Sequence, residues 1–252
     1  MPDTQPLPAG HVIGPMRDDE VAVLTSWAAA EGWNPGANDV GIARALDPDA
    51  FIALRDGDEF IGGGTIFRVA PRLGFMGLFI VRSDRRSNGL GRVLWHHRRD
   101  LLLSRLESGS TIGMDGVFDM VPFYRRGGFE LAYRDLRFEG TATGTPDPHV
   151  EPLDAFDCDE VYRLDASLLG ADRRTFLEQW LTAPGVRAVG LRVDGRLAAL
   201  GALRPALVGH KFGPVLAENP SLAERLIGHL MSTVRGEQVQ LDVPEPNEPG
   251  LA

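Results

Sequence analysis

The chain has 252 residues, 43% of them apolar and 24% charged, enough for one large or two modest domains with a buried core. Its net charge of −9 argues against general nucleic-acid binding, which draws its affinity from phosphate neutralisation. The lone cysteine, Cys158, closes no internal disulfide, no apolar run approaches the roughly 20 residues of a membrane span, and the N-terminus lacks a signal-peptide pattern, so a cytoplasmic protein with no nucleic-acid or membrane partner is expected.

In chain order, "RDDEVAVLTSWAAAEG" reads as an amphipathic helix, capped by Asp18 or Asp19 and ended by Gly32, with Val21, Leu24 and Ala28 on one face. The turn-rich "WNPGAND" precedes a short helix near Val40–Leu46. A hairpin follows in "AFIALRDGDEFIGGGTIFRVA", turning at Asp56-Gly57-Asp58. "LGFMGLFIV" is too apolar for a strand with a wet face. Leu90, Val93, Leu94, His97 and Leu101 give the next segment, Gly89–Leu106, a helical stripe. "TIGMDGV" is a further strand, and "VPFYRRGGFELAYRDLRFEG" a short helix or turn and then a long strand.

"GTATGTPDPHVEP" is rich in Gly, Thr and Pro and reads as a linker. Beyond it come helices at Asp159–Leu169 and Arg174–Leu181, a hairpin turning at Asp194-Gly195, the strand "KFGPVLAE", a helix to about Val234 with Ser221 and Glu224 as capping box, and the strand "VQLDVPEPN". The order repeats that of the first half. The expected organisation is residues 1–140 as the functional domain, 141–152 as linker and 153–252 as a degenerate copy lacking its last elements.

"RRSNGLG" (Arg85–Gly91) joins an apolar strand to a helix. Helix N-termini carry unpaired N–H groups and the positive end of the macrodipole, so anions dock there. Gly89 and Gly91 let a ligand approach the backbone, and Arg82, Arg85, Arg86 and Arg92 add charge. The implied ligand is a phosphate or pyrophosphate. A P-loop is excluded because no lysine lies in this half, and Gly62-Gly63-Gly64 lacks the later glycine of a dinucleotide fingerprint. Those three glycines suit a bulge or a close approach on the strand instead. No Cys/His cluster has zinc spacing, and His96 and His97 diverge on their helix, so no metal is expected.

Arg86-Ser87-Asn88-Gly89-Leu90-Gly91, with Val81 on the preceding strand and "FYRRGGFE" downstream, resembles the signature of the GNAT acyl-CoA-dependent N-acetyltransferases. The resemblance covers about residues 10–140, and the second half resembles the divergent second domain of tandem members. It implies an α/β fold with mixed sheets, in two tandem GNAT-like domains. It also implies acetyl-CoA as co-substrate, its pyrophosphate on Arg86, Ser87, Asn88, Gly89, Leu90, Gly91 and Arg92. The pantetheine arm would lie along Phe79, Ile80 and Val81, where the strand opens away from "TIGMDGV", and the same backbone would hold the thioester carbonyl. Tyr124 falls where the family keeps its general acid.

The chemistry this implies is transfer of an acetyl group to a primary amine in a ternary complex. The amine, with a pKa near 10.4, must lose a proton, and the departing thiolate gains from a donor such as the Tyr124 phenol. Glu31, with Asp115 second, is the candidate base, and a water chain is the remaining alternative. Trp33 and Asn34 lie on the loop expected over the acceptor pocket. Lys211 is the sole lysine among 26 basic residues; chance under the arginine bias is the simpler reading, and a substrate-binding site needing a compact ammonium is the other. The acceptor is a small-molecule amine or an amine on a protein, and a homodimer is compatible with the sequence. A non-catalytic acyl-CoA-binding protein is the alternative. In the second half "LAENPSLAERL" has no glycine where the phosphate loop would stand, so no coenzyme is expected there.

Overall fold

The structure, a computed structural model, describes residues 6–251. It divides into two units, one from the chain up to Pro35 with Ala43–Glu130, the other from Gly36–Ile42 with the chain from Leu131 on.

The first unit holds one five-stranded sheet in chain order, from β1 (His11–Pro15) through β2 (Phe51–Asp56), β3 (Glu59–Ala70) and β4 (Leu73–Val81) to β5 (Thr111–Met114). The β1 to β4 pairings are antiparallel and β4–β5 is parallel. The parallel step needs a crossover, supplied by α3 (Leu90–Ser104). The other helices are α1 (Asp18–Ala30) and α4 (Val121–Arg126), while α2 (Asp39–Leu46) is divided between the units after Ile42.

The predicted face of α1 is buried, through Val21, Leu24 and Ala28. Its cap differs from expectation: Arg17 is the N-cap, and its backbone N–H donates to Glu20 at 2.7 Å. On α3 the expected stripe drifts by one residue, because Leu90, Leu94, Trp95, Arg98 and Leu102 are buried while His97 is exposed. An arginine at a core position breaks the apolar pattern from which a stripe is read. Trp95 and the leucines pack on Ile52, Leu54, Ile61, Ile66, Met76 and Val81.

The second unit holds a six-stranded sheet in the order β6-β11-β10-β9-β8-β7: β6 is Asp135–Thr141, β7 Val150–Pro152, β8 Arg187–Val193, β9 Arg196–Pro205, β10 His210–Ala217 and β11 Gln238–Pro244. One apolar cluster joins this sheet to Leu222, Leu226 and Leu230 of α7 (Pro220–Ser232); another joins it to α5 (Cys158–Leu169) and α6 (Arg174–Leu181). The cap of α7 is Asn219, whose side chain accepts from the Leu222 N–H at 3.1 Å, and not Ser221.

Two expected boundaries move. The division falls after Glu130, not at residue 140, because β6 pairs antiparallel with β11 all the way from Asp135↔Pro244 to Thr141↔Gln238. The supposed linker 141–152 includes the end of β6 and all of β7, an edge strand on β8. β6 is an edge strand exposed along its whole length, with Asp135, Arg137 and Glu139 on one face and Leu136 and Phe138 on the other. Arg137 binds Asp242 of β11 at 2.7 and 2.9 Å and Gln240 reaches Glu139 at 2.7 Å, cross-strand pairs that fix the register. The place beside β11, expected to lack a neighbouring strand, is filled by β6.

Candidate active site

β4 and β5 pair only from Leu73↔Thr111 to Met76↔Met114, so β4 runs on from Gly77 to Val81 with no partner strand on that side among the described residues. On its other side the ladder with β3 carries a bulge. Thr65 pairs with Gly77 and Gly63 with Ile80, leaving Leu78 and Phe79 opposite the single residue Gly64. Leu78 has φ +48°, in the left-handed region that side chains with a Cβ avoid. Bulges re-aim the groups around them, and this one turns the backbone at Leu78–Phe79 within the opened stretch.

The three glycines opposite have distinct uses. A Cβ at Gly62 would press on the Ile80 carbonyl (3.1 Å), one at Gly63 would lie 2.9 Å from the Ile52 carbonyl, and one at Gly64 would land on the Arg98 guanidinium.

From the end of β4 the chain passes one 3₁₀ turn, Ser83–Arg85, and enters α3. Gly89 is the N-cap at φ +78°, and no side chain caps the helix. Ser87 also takes positive φ, +72°. Gly91 is different: a Cβ there would meet Phe79 and Val81 at an ordinary 3.6 Å. The protein itself tolerates a methyl at that position, so its smallness matters to whatever approaches the helix start.

Ser87, Asn88 and Arg92 are exposed around this end, and Leu90 is buried. The arginines divide. Arg82 is bound by Asp84 and Glu59, and Arg85 by Glu59 and Asp56. Both are therefore neutralised locally, contrary to the expectation that all four add charge to the loop. Arg86 donates from Nε to the Val81 carbonyl at 2.7 Å and from Nη2 to Glu31 at 3.0 Å. The expected base and the expected phosphate ligand are thus an ion pair that ties the loop to the C-cap of α1.

Tyr124 lies on α4, half-buried against Trp95 and Phe123, its ring centroid 6.4 Å from that of Trp95. Burial raises its pKa, and the charge of Arg98 acts the other way. The stretch after β5 touches this ring, since a Cβ on Gly116 would lie 2.6 Å from Tyr Cε2. Asp115, next to Gly116, is exposed and falls just outside β5. Phe79 stacks on Phe123 at 6.1 Å, linking the bulge to α4. The glycines of "FYRRGGFE" have structural reasons: a Cβ on Gly127 would collide with the Trp95 ring, and Gly128 turns at φ +90°.

Trp33 is half-buried, while Asn34 is 6% exposed with φ +47°. Lys211 belongs to the second unit, half-buried on β10 in register with Arg204 and Gln240. Burial, with the Arg137 charge, lowers its pKa. The residue missed by sequence reasoning is Arg98. The only signal for it was negative, an arginine interrupting an apolar stripe.

Sequence profiles bear on this arrangement directly. That of the Acetyltransferase (GNAT) family matches residues 16–129, and that of an Acetyltransferase (GNAT) domain matches residues 161–251. The chain belongs to the GNAT acetyltransferase family, with two such domains in tandem.

Among relatives, the chain is 25% identical over 231 residues to Holothin acyltransferase of Pseudoalteromonas sp. (strain SANK 73390), covering 90% of this chain and 76% of that protein. It is 24% identical over 180 residues to the uncharacterised N-acetyltransferase YitH of Bacillus subtilis (strain 168), covering 69% of this chain and 61% of that one. Among solved structures, a candidate acetyltransferase from Pyrococcus horikoshii superposes with a TM-score of 0.78 at 21% identity, over 98% of this chain and 84% of its own. A tandem GNAT protein from the clavulanic acid biosynthesis pathway gives 0.61 at 19% identity, over 96% and 92%. The fold is therefore the GNAT fold, built of mixed sheets, and transferase activity on acyl groups is what family membership supports. No helix of the described residues is long and apolar enough to cross a membrane.

Proposed function

We propose that the first unit transfers an acetyl group from acetyl-CoA to the nitrogen of a primary amine, both substrates being bound together. The observation that carries this reading is the opening of β4 from β5 beyond Met76 and Met114, with a bulge in the opened stretch and an uncapped helix N-terminus at its end. The residues present fit acetyl-CoA. The N–H groups at the start of α3 and exposed Arg92 receive the pyrophosphate, and Gly91 leaves room for it. The opened backbone around Phe79 receives the pantetheine arm. Val81 shares its carbonyl with Arg86, so Phe79 is the better-placed backbone contact.

Acetyl-CoA supplies an activated acyl group. Backbone N–H groups at the bulge offer hydrogen bonds to the acyl oxygen as negative charge develops there. Tyr124, protonated at neutral pH like any phenol and held further in the acid form by burial, gives its proton to the departing sulfur. The amine's proton goes to a carboxylate. The candidates are Asp115, which is exposed just beyond β5, and Glu31, which is paired with Arg86. The base is the residue whose amide variant, Asp115→Asn or Glu31→Gln, lowers kcat by about tenfold or more. Unchanged acceptor kinetics in Lys211→Arg would remove that residue from the substrate-binding set.

The deciding experiment is calorimetric titration of acetyl-CoA into the protein, followed by a thiol-release screen over polyamines, aminoglycosides, amino acids and lysine peptides. One site per chain with amine-dependent thiol release is the expected result. Binding without release to any amine would favour a non-catalytic acyl-CoA-binding protein, and no binding would overturn both.

A further inference from the structure

One charge in the first unit has no part in the chemistry above. Arg98, in the middle of α3, is fully buried. Its Nη2 donates to the carbonyls of Thr65 at 2.5 Å and Gly77 at 2.7 Å. These two residues are the last regular pair before the β4 bulge. Among the described residues its Nε and Nη1 have no hydrogen-bond partner, and Trp95 Nε1, one turn earlier on the helix, has none either. The guanidinium lies 5.3 Å from the centre of the Phe79 ring, in space that exists because residue 64 is glycine. No carboxylate among the described residues pairs with it. Burial pulls its pKa down to about 9, with the Tyr124 phenol the one group acting in the other direction, so it stays charged at neutral pH.

A buried charge without a counter-ion is a liability for stability. Apolar side chains of similar volume often replace buried ionic groups with no loss, or with a gain. Packing alone therefore gives no reason for an arginine here. The reason lies in what it touches: the two carbonyls beside the bulge, the ring of Phe79 and the field at Tyr124.

We propose that Arg98 is a positioning residue for acyl transfer, pinning the bulged backbone of β4 and holding a positive charge behind Phe79 and Tyr124. The inference rests on the acyl-transfer reading above. The pinned carbonyls fix the direction of the bulge N–H groups before substrate arrives, which is how preorganised donors act. The charge opposes the effect of burial on Tyr124 and makes the phenol a stronger acid toward the leaving thiolate. His96 and Arg99 of α3 stand against Trp95, the ring next to Tyr124; Asp115 adjoins Gly116, and Arg125 and Arg126 follow Tyr124 on its own helix.

The test compares wild type with Arg98→Met and Arg98→Lys in four measurements: thermal melting, acetyl-CoA affinity, the pH profile of kcat, and tyrosinate absorbance titrated in a Y133F/Y162F background. In R98M, melting should be unchanged or higher and acetyl-CoA affinity within about threefold. Its kcat should fall by about ten- to a hundredfold, and the Tyr124 titration should move to higher pH. R98K keeps the charge, so it should restore the titration and part of kcat.

An R98M enzyme with wild-type kcat and an unmoved tyrosinate titration would overturn the proposal and leave Arg98 as packing. Should R98M fail to fold, Arg98→Gln, which keeps a donor for the carbonyls and loses the charge, answers by the same two readouts. Wild type that neither binds acetyl-CoA nor releases thiol would refute the acyl-transfer reading itself, a failure separable from that of Arg98.

Discussion

The two units build the same device and finish it differently. In each, the strand before the crossover helix bulges and then parts from its parallel neighbour. β10 pairs with β11 only at His210 and Lys211, and between Phe212↔Leu203 and Val215↔Gly201 it carries two residues, Gly213 and Pro214, opposite the one residue Ala202. Register aligns Leu78-Phe79 with Gly213-Pro214. Proline has no N–H to offer an acyl oxygen, and the Gly213 carbonyl already accepts from Trp180 Nε1 at 3.1 Å.

The helix starts differ in the same sense. α3 begins at an uncapped Gly89, whereas α7 begins with Asn219 bonded to the Leu222 N–H, Pro220 in the first turn, and Glu218 paired with Arg196. The bulge and the splay are thus properties of the fold. What distinguishes the two is the chemistry at these places: the second bulge carries a proline and the second helix start a side-chain cap, and the first has neither.

The sharpest way to break this contrast is to fill the start of α3. Gly91→Glu puts a carboxylate where the pyrophosphate would dock, at a position where a Cβ itself meets nothing closer than 3.6 Å. Acetyl-CoA affinity should fall by about a hundredfold or more, with little change in melting temperature. Calorimetry that finds the affinity retained would place the coenzyme elsewhere.

Tyr124→Phe comes next. Its kcat should drop by about a hundredfold or more with coenzyme affinity unchanged. The acid form of Tyr124 is the active one, and burial raises its pKa. In wild type, therefore, this group sustains kcat through neutral pH and loses its contribution only as pH rises past the ordinary phenol range near 10. A Y124F variant with wild-type kcat would return the phenol to the status of a packed aromatic.

A smaller effect concerns the support of this site. Gly127→Ala drives a methyl into the ring of Trp95, which packs against Phe123, Tyr124 and Phe129. Overpacking of this kind costs about 1–3 kcal/mol, to be read as a lower urea midpoint.

Much of this was legible in the sequence because local rules and the fold agreed. The hairpins at Asp56-Gly57 and Asp194-Gly195, the apolar run of β4 and the helix Arg174–Leu181 lie where periodicity and turn residues put them. The failures have physical causes. β6 was read as the end of the first half because nothing local says which sheet a strand will join; that choice is made by β11, more than a hundred residues later. Arg82 and Arg85 read as adding charge around the phosphate loop, but Asp56, Glu59 and Asp84 meet them in space. Arg98 was invisible because an amphipathic pattern reads an arginine as the wet face. The role of Gly64 could not be read without Arg98, since each explains the other.

The smallest predicted effect tests the second unit's half of the contrast. Asn219 caps α7 through its side-chain oxygen. Replacing such a cap with alanine costs about 1 kcal/mol, because the Leu222 N–H then turns to water or goes unpaired. Asn219→Ala should therefore lower stability by about that amount in urea denaturation. Acetyl-CoA affinity and stoichiometry should not change, since Pro220 and Glu218 still leave that helix start unsuited to an anion. G91E and N219A each alter the start of the crossover helix in one unit, and the contrast requires opposite readouts: binding lost with stability kept in one, stability lost with binding kept in the other. If N219A instead weakened acetyl-CoA binding by more than about threefold, the second helix start would have to be counted as part of a coenzyme site, and the reading of the second unit as a fold without that site would fail.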